Sequence, residues 1–138
     1  MITLDAAFDS ALARLEAAGY AGLSPTERLL VAIWWIEADL NNGGFDQYYF
    51  NSGGDFATMV PSALREIGAH EMARIVDEAN AHFGPKGPPA SRDDRQVALE
   101  RIRDANPDAF ESLNARFWTY PEDLAALLAT SLGISANV

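Results

Sequence analysis

The sequence predicts an all-α fold, a single compact domain of about seven or eight helices around one central hydrophobic helix. Apolar residues recur at helical spacing along most of the chain, and no segment of useful length alternates with the period of a strand. Residues that start and end helices separate these stretches. With 138 residues and no cysteine, the chain can bury a core without disulfides, and we expect one domain over residues 1–138.

The first two helices have clear boundaries. Residues 4–18 carry apolar side chains at helical spacing, and Gly19 follows as a C-terminal stop. Ser24 and Glu27 form a capping box, with proline at the first helical position between them. In the helix that follows, residues 25–41, the apolar side chains lie so widely around the axis that we expect it to be the most buried helix.

Five more helices are predicted along the rest of the chain. Pro61 is expected to restrict the first turn of one, Ser91 to cap another, and Gly133 to end the last. Residues 84–91, rich in proline and glycine, form the only linker-like segment. The expected helix ranges are 55–67, 69–83, 91–104, 106–117 and 121–132.

The segment "NNGGFDQYYFN", residues 41–51, needs its own explanation. Taken with Asp39, its first residues match the opening of a calcium-binding loop, but the twelfth position is Phe50, where a bidentate carboxylate is required. A phosphate cradle needs a nearby cation, and no lysine or arginine occurs between Arg28 and Arg65. Neither calcium nor phosphate binding is therefore favoured.

A structural role accounts for more of this segment, which we call the elbow (residues 41–51). Gly43 and Gly44 can adopt the positive φ that ends the long helix, and the next aromatic residues fall at helical spacing. The rings of Phe45, Tyr48 and Tyr49 are expected to fold back against Trp34 and Trp35. We predict that the elbow sets the angle between two helices through Glu37, Asn42, Gly43, Gly44, Phe45, Gln47, Tyr48 and Asn51.

Glu37 projects to the inward face of the central helix, where a carboxylate must be paired or protonated. It is either a general acid or base with a raised pKa, or a structural anchor that accepts hydrogen bonds from Gly44, Gln47 or a tyrosine hydroxyl. No second catalytic group is identifiable from spacing, and His70 lacks the second histidine of a zinc-protease helix. We predict the anchor, no enzymatic activity, no cofactor and no metal.

The charge of the chain limits its partners. Twenty acidic and ten basic residues give a formal net charge of −10. Such a charge argues against direct binding of nucleic acid or an anionic membrane, and permits a basic protein partner. The longest apolar run, residues 29–36, is too short to span a bilayer, and the first residues do not resemble a signal peptide. We expect a cytoplasmic protein, and both a monomer and a homodimer remain open.

Residues 36–76 resemble the motif of the bacterial DNA-mimic protein domain family. Its signature is similar to N-G-G-F-x-Q-Y-x-x-N, followed by a glycine-containing turn and an A-L-x-x-I-G-A helix. The matching positions are Glu37, Asn42, Gly43, Gly44, Phe45, Gln47, Tyr48, Asn51, Gly54, Ala63, Leu64, Ile67, Gly68 and Ala69. The resemblance implies an all-helical domain and, for some relatives, an acidic surface that imitates duplex DNA and occupies the DNA-binding face of a transcription factor.

Acidic residues on two predicted helices provide candidates for such a surface. The first acidic row consists of Asp5, Asp9 and Glu16, which project within about 40° of one another over roughly 16 Å. The second acidic row consists of Asp93, Glu100 and Asp104, and neighbouring arginines dilute it. Duplex DNA carries one charge per about 1.7 Å of axis. Two sparse rows therefore imitate it only if they converge with other acids such as Asp39, Asp55 and Glu122.

Three functional hypotheses follow. The first, which we favour, is a non-enzymatic protein that binds a basic DNA-binding protein, such as a transcription regulator, by DNA mimicry. The second is an interaction or immunity module whose partner does not bind DNA, and it predicts an exposed apolar patch. The third is a small-molecule site around Glu37, Gln47, Tyr48 and Asn51, and it predicts a cavity with converging polar groups.

Overall fold

The computed structural model describes residues 2–134 and confirms the all-α prediction. Within these residues it has seven α-helices and no β-strand. The helices are α1 (Leu4–Ala18), α2 (Pro25–Phe50), α3 (Val60–Glu66), α4 (His70–Ala81), α5 (Arg92–Ala105), α6 (Glu111–Trp118) and α7 (Leu124–Leu132). Short 3-10 turns occupy Tyr20–Gly22 and Ser52–Phe56. None of the helices in this range is both long and apolar enough to cross a membrane.

Short polar side chains begin four of these helices. The capping box of Ser24 and Glu27 forms as predicted, with both reciprocal hydrogen bonds present. Thr3, Ser91 and Asp123 accept a hydrogen bond from a backbone N–H in the first turns of α1, α5 and α7. Each cap satisfies an N–H group that has no partner inside its own helix. The local sequence therefore explains where these helices start.

The central position of α2 is also confirmed. Helices α1, α3, α5, α6 and α7 all pack against it. Leu30, Val31, Ala32 and Ile33 are four consecutive residues, and none of them exposes more than 4 % of its surface. Because consecutive residues point in different directions around a helix, this part of α2 is covered on every side.

Three predicted helix boundaries are wrong. Helix α3 begins at Val60 rather than at residue 55, because residues 52–56 form a 3-10 turn before Pro61 enters the first helical turn. Helix α6 begins at residue 111 rather than 106, since the Asn106 side chain accepts a hydrogen bond from the Asp108 N–H within a turn. Helix α7 begins after Asp123, which caps it in place of the expected start at residue 121.

The rings of the elbow do not pack against Trp34 and Trp35, as the sequence suggested. Phe45 lies against rings from the C-terminal part of the chain, with ring centroids 6.0 Å from Phe110 and 6.3 Å from Phe117. Trp34 contacts Phe8, and Trp35 contacts Phe56. The aromatic residues of the elbow therefore connect α2 to α6 and the turn before it, rather than folding back on α2.

Candidate functional site

Two adjacent glycines break α2 within the elbow. Gly43 has φ −160° and ψ 16°, and Gly44 has φ 74° and ψ −169°. The conformation of Gly44 lies in a region that residues with a side chain essentially do not adopt. The break divides α2 into a first half (residues 25–42) and a second half (residues 45–50). The prediction that these glycines end the long helix before a short aromatic turn is confirmed, but only Gly44 has the positive φ that was expected of both.

Helix α6 satisfies backbone groups on both sides of this break. The Asn114 side-chain oxygen accepts a hydrogen bond of 2.8 Å from the Phe45 N–H, at the start of the second half. The Trp118 indole N–H donates a hydrogen bond of 2.9 Å to the Leu40 carbonyl, at the end of the first half. A Cβ on Gly44 would lie only 2.7 Å from the Asn114 side chain. The angle of the elbow is therefore held by a helix about seventy residues further along the chain.

Glu37 is an anchor between α2 and the turn after α6. The Tyr120 hydroxyl donates a hydrogen bond of 2.8 Å to the Glu37 carboxylate and accepts one of 2.7 Å from the Asn41 side chain. Burial raises the pKa of Glu37, the Tyr120 hydrogen bond opposes this, and the charge of Asp123 adds to it. Burial also raises the pKa of Tyr120 to about 12, so the hydroxyl keeps its proton at neutral pH. A tyrosine hydroxyl was one of the three donors expected for this carboxylate.

Asp39 was expected on the partner-binding surface, and this expectation is wrong. Its exposed fraction is only 9 %, so it contributes little to the outer surface. The Gln47 side chain lies 3.5 Å from one of its oxygens, and burial raises the pKa of Asp39 while hydrogen bonds from Gln47 and Asn51 oppose that shift. Within the elbow, Gln47 thus lies against a buried carboxylate, whose second oxygen has no hydrogen-bond partner among the described residues. Asn42, in contrast, is exposed.

Arg95 is the largest polar residue of the core, and the sequence prediction missed this role. It is fully buried in α5 and forms a 2.9 Å ion pair with Asp55. It donates hydrogen bonds to the backbone carbonyls of Tyr49, Pro89, Ala90 and Asn51, at distances of 2.6 to 3.2 Å. One guanidinium therefore joins the end of α2, the linker and α5. Its position one helical turn before the buried Leu99 was the signal that it points inward.

The first acidic row is exposed along α1. Asp5, Asp9 and Glu16 are all exposed, and within residues 2–134 none of them forms an ion pair. Arg14, the only base on this helix, points away from the row and binds Glu27 at the start of α2, with an N–O distance of 2.9 Å. The row is therefore a set of carboxylates that remain available to a cation from another molecule.

The second acidic row lines a groove. Asp93, Glu100 and Asp104 are exposed on α5, and in the described part of the chain none of them is in an ion pair. They border a groove of about 730 Å³ together with Phe50, Gln96, Val97, Leu99, Arg103 and Pro107. Phe50 belongs to the elbow, so the groove lies between the second half of α2 and the outer face of α5. The first acidic row, in contrast, lies on α1, which packs against the first half of α2 through the contact of Phe8 with Trp34.

The two remaining acids that were expected to join these rows have structural partners. Asp55 is occupied by its ion pair with the buried Arg95. Both carboxylate oxygens of Glu122 accept hydrogen bonds from the first turn of α4, at 2.8 Å from the Glu71 N–H and 2.9 Å from the Met72 N–H. Their charges are compensated within the fold. The expectation that Asp39, Asp55 and Glu122 would complete a mimic surface is therefore wrong for Asp39 and weakened for the other two.

The residues of the third hypothesis do not converge on one opening. Glu37 is bonded to Tyr120, whereas Gln47 and Asn51 act on Asp39. Tyr48 is fully buried, and its hydroxyl has no hydrogen-bond partner in the described structure. Among residues 2–134 no group of three or more histidine, aspartate or glutamate residues is arranged to hold a metal ion. The geometry gives this set of side chains a structural role.

Comparison with known proteins identifies a family for this chain. A family model described as "DMP19-like protein" matches residues 21–135, which is most of the chain. No curated protein and no solved structure matches the sequence. The matched region contains the elbow, α6 and the second acidic row, whereas the first acidic row on α1 precedes it.

Proposed function

This chain belongs to the DMP19-like protein family, in which DNA mimicry is the role of some members, and from this premise we propose that it binds a basic DNA-binding protein in place of DNA. In this proposal the protein has no catalytic role. Its carboxylates occupy the positions that DNA phosphates take on the partner, which we expect to be a transcription regulator in the cytoplasm.

The observation that carries the proposal is the pair of acidic rows on α1 and α5. Each row spans eleven residue steps, or roughly 16 Å of helix. One strand of duplex DNA has about five phosphates over that length, since they follow at about 3.4 Å along the axis. Three carboxylates per row thus supply part of the phosphate pattern. They are exposed and free of ion pairs among the described residues, so a partner's lysine or arginine does not have to displace an internal base.

A competition experiment tests this proposal. Proteins that co-purify with the chain are identified, and the complex with each candidate is then titrated with duplex DNA and with salt. We expect DNA to displace the protein, and the affinity to fall steeply between low and physiological salt because the contacts are between exposed charges. A complex that is indifferent to both DNA and salt would contradict mimicry.

A matched set of variants separates a specific pattern from the net charge. Neutralising the first acidic row (Asp5→Asn, Asp9→Asn, Glu16→Gln) removes three charges, and neutralising the second row (Asp93→Asn, Glu100→Gln, Asp104→Asn) removes three more. The control (Glu66→Gln, Asp108→Asn, Glu111→Gln) removes three exposed charges elsewhere. We expect at least one row variant to weaken binding by about tenfold or more, and the control to have a much smaller effect. Equal losses in all three variants would leave only a non-specific charge effect.

The hypothesis of a partner that does not bind DNA also has an observation in its favour. It predicted an exposed apolar patch, and Phe50 and Val97 are 50 % and 53 % exposed along the same groove. A partner that binds this groove but is unaffected by duplex DNA would support that alternative.

A further inference from the structure

The groove beside α5 combines features that a simple phosphate imitation does not need. Single exposed apolar side chains are common on protein surfaces, whereas exposed apolar side chains that line one groove can mark an interaction site. In the described chain, two of the five most exposed large apolar residues, Phe50 and Val97, line this one groove. Leu99, which is 2 % exposed, belongs to its floor. The groove therefore offers an apolar surface between walls that carry charge.

The apolar and acidic side chains of α5 follow one stripe. Val97 lies four residues after Asp93 and three residues before Glu100, and Asp104 follows four residues later. At 100° per residue these four positions stay within about 60° of one another along three helical turns. The stripe thus has one apolar side chain, Val97, between carboxylates. Its three turns are long enough to contact a short helix that lies parallel to α5.

We propose that this groove binds a basic amphipathic helix of the partner, which places an apolar side chain between Phe50 and Val97 and pairs its lysines or arginines with Asp93, Glu100 and Asp104. This inference rests on the proposed function, because it takes the partner to be a basic protein. The groove acts toward this helix as the major groove of DNA acts toward a recognition helix, with the addition of an apolar contact.

Charge complementarity selects this occupant over the alternatives. The lining has three carboxylates and one guanidinium, that of Arg103, which lies 3.9 Å from the Asp46 carboxylate and is partly offset by it. A second guanidinium, that of Arg92, lies over the Phe50 ring at the edge of the groove, so the carboxylates outnumber the bases by three to two. Nucleic acid would be repelled by the carboxylates. A second copy of this chain carries a net charge of −10 and would bring further acids to an acidic groove. A cationic helix with one apolar side chain fits both the excess of carboxylates and the exposed side chains of Phe50 and Val97.

Synthetic peptides allow a test that does not depend on an identified partner. The probe is a peptide of about 18 residues, long enough to form a helix, with arginines on one face and a single leucine between them. The control peptide has serine in place of the leucine and the same charge. Binding is measured by fluorescence anisotropy at two salt concentrations, and the binding site is mapped by backbone amide chemical shifts in NMR spectra. We expect shifts at Gln96, Val97 and Glu100, and binding of the control peptide about tenfold weaker.

Variants of the protein sharpen this test. Val97→Ser should weaken binding of the leucine peptide about tenfold without changing the salt dependence of that binding. Binding of the serine peptide should be almost unaffected. Asp93→Asn should reduce the salt dependence. The controls are Met59→Ser, which removes an exposed apolar side chain outside this groove, and Asp9→Asn in the first acidic row. Because the substituted side chains are exposed, these variants should fold, which circular dichroism checks.

Several results would overturn the inference. These are no binding of the leucine peptide at low salt, equal binding to wild type and Val97→Ser, chemical shifts confined to α1, or self-association of the protein that Val97→Ser abolishes. A natural partner that DNA displaces but that tolerates Val97→Ser and Phe50→Ser would uphold DNA mimicry and reject the groove. A partner whose binding requires Val97 but that DNA does not displace would uphold the groove and reject DNA mimicry.

Discussion

The two halves of α2 are adjacent in sequence but are stabilised in different ways. The first half begins with a capping box made by Ser24 and Glu27, its immediate neighbours, and its residues 30–33 are buried on every side. The second half begins at Phe45, whose N–H is capped by Asn114, and ends at carbonyls that accept hydrogen bonds from Arg95. Local residues start one half, whereas residues 44 to 69 positions away hold the other.

This difference explains how the second half can hold a defined geometry although it is short. A helix of six residues is too short to be stable alone, so its geometry must come from tertiary contacts. The same contacts position Phe50, which is the last residue of the second half and lines the groove. We therefore expect that substitutions of the distant residues that contact the second half lower the free energy of unfolding more than substitutions of the local cap of the first half.

The largest effect is expected for Arg95→Met. Methionine keeps much of the side-chain length, but it leaves the carbonyls of Tyr49 and Asn51 without their buried donor and Asp55 without its partner. Losing one member of a buried charged network costs about 3–5 kcal/mol. We expect the free energy of unfolding, measured with urea, to fall by about 4 kcal/mol.

The control for this prediction is Arg92→Met on the same helix. Arg92 is exposed, donates one hydrogen bond to the Phe50 carbonyl and lies over its ring. A loss of about 0.5 kcal/mol is expected for such a surface contact. Similar losses for both arginines would show that the buried guanidinium does not hold the second half.

The next largest effect is expected for Gly44→Ala. The backbone conformation is unfavourable for alanine by about 1–3 kcal/mol, and the new Cβ would also push away the Asn114 cap. We expect a total loss of about 3 kcal/mol, seen as a fall in Tm on the order of 10 °C.

Gly19 offers a matched control for that substitution. Its φ of 75° and ψ of 176° are close to those of Gly44, but no atom lies within 4 Å of an added Cβ. Gly19→Ala therefore carries the backbone cost alone, about 1–2 kcal/mol. If both variants lose the same stability, the contact with Asn114 does not contribute to the elbow.

A smaller effect is expected for Asn114→Ala, which removes the distant cap and should cost about 1 kcal/mol. Combined with Gly44→Ala, its effect should be less than additive, because the new Cβ no longer meets the amide. Ser24→Ala, which removes the local cap, should also cost about 1 kcal/mol but should add to Gly44→Ala, since the two sites lie far apart along α2. Thermal denaturation of wild type, the three single variants and the two double variants measures both couplings. Equal couplings would show that the distant cap and the local cap are related to Gly44 in the same way.

The smallest effect concerns pH. The pKa of Glu37 is raised, chiefly by burial, so the folded protein binds more protons than the unfolded chain between the ordinary glutamate pKa and the higher folded value. Stability should therefore fall as pH rises through that window. Glu37→Gln keeps an acceptor for Tyr120 and lacks this ionisation, so its Tm relative to wild type should rise with pH above about 4.5.

Glu27 should show the opposite sign. Its pKa is lowered, first by the hydrogen bond from the Ser24 backbone, so its contribution is present above the unfolded pKa and lost as pH falls through the folded pKa. The Tm difference between wild type and Glu27→Gln should therefore shrink toward low pH. Difference curves with the same sign for both residues would contradict these assignments.

Much of the fold was predictable because helix signals are local. The range of α1, the capping box of α2, the Ser91 cap and the Gly133 stop all depend on residues within one or two turns of each other. The boundaries that failed have competing local signals, such as the Asn106 turn before α6 and the Asp123 cap after Pro121.

The candidate site was only partly predictable, for a related reason. Helical spacing correctly placed both acidic rows on exposed faces, since the apolar residues of α1 and α5 define the opposite faces. Spacing did not show that Asp39 is buried. It also did not show that both carboxylate oxygens of Glu122 accept hydrogen bonds from backbone N–H groups in the first turn of α4. Nor did it show that Phe50 and Val97 line the same groove.

The sequence by itself determined that the chain is helical, where the long helix breaks, and which acidic residues share a helix face. These properties arise from hydrogen bonds and steric limits within a few residues. Only the tertiary structure decided which charges stay free, that Arg95 and Asn114 hold the elbow, and that an acidic row borders an apolar groove. The partners in these contacts come from segments distant in sequence, and their approach depends on how the helices pack together.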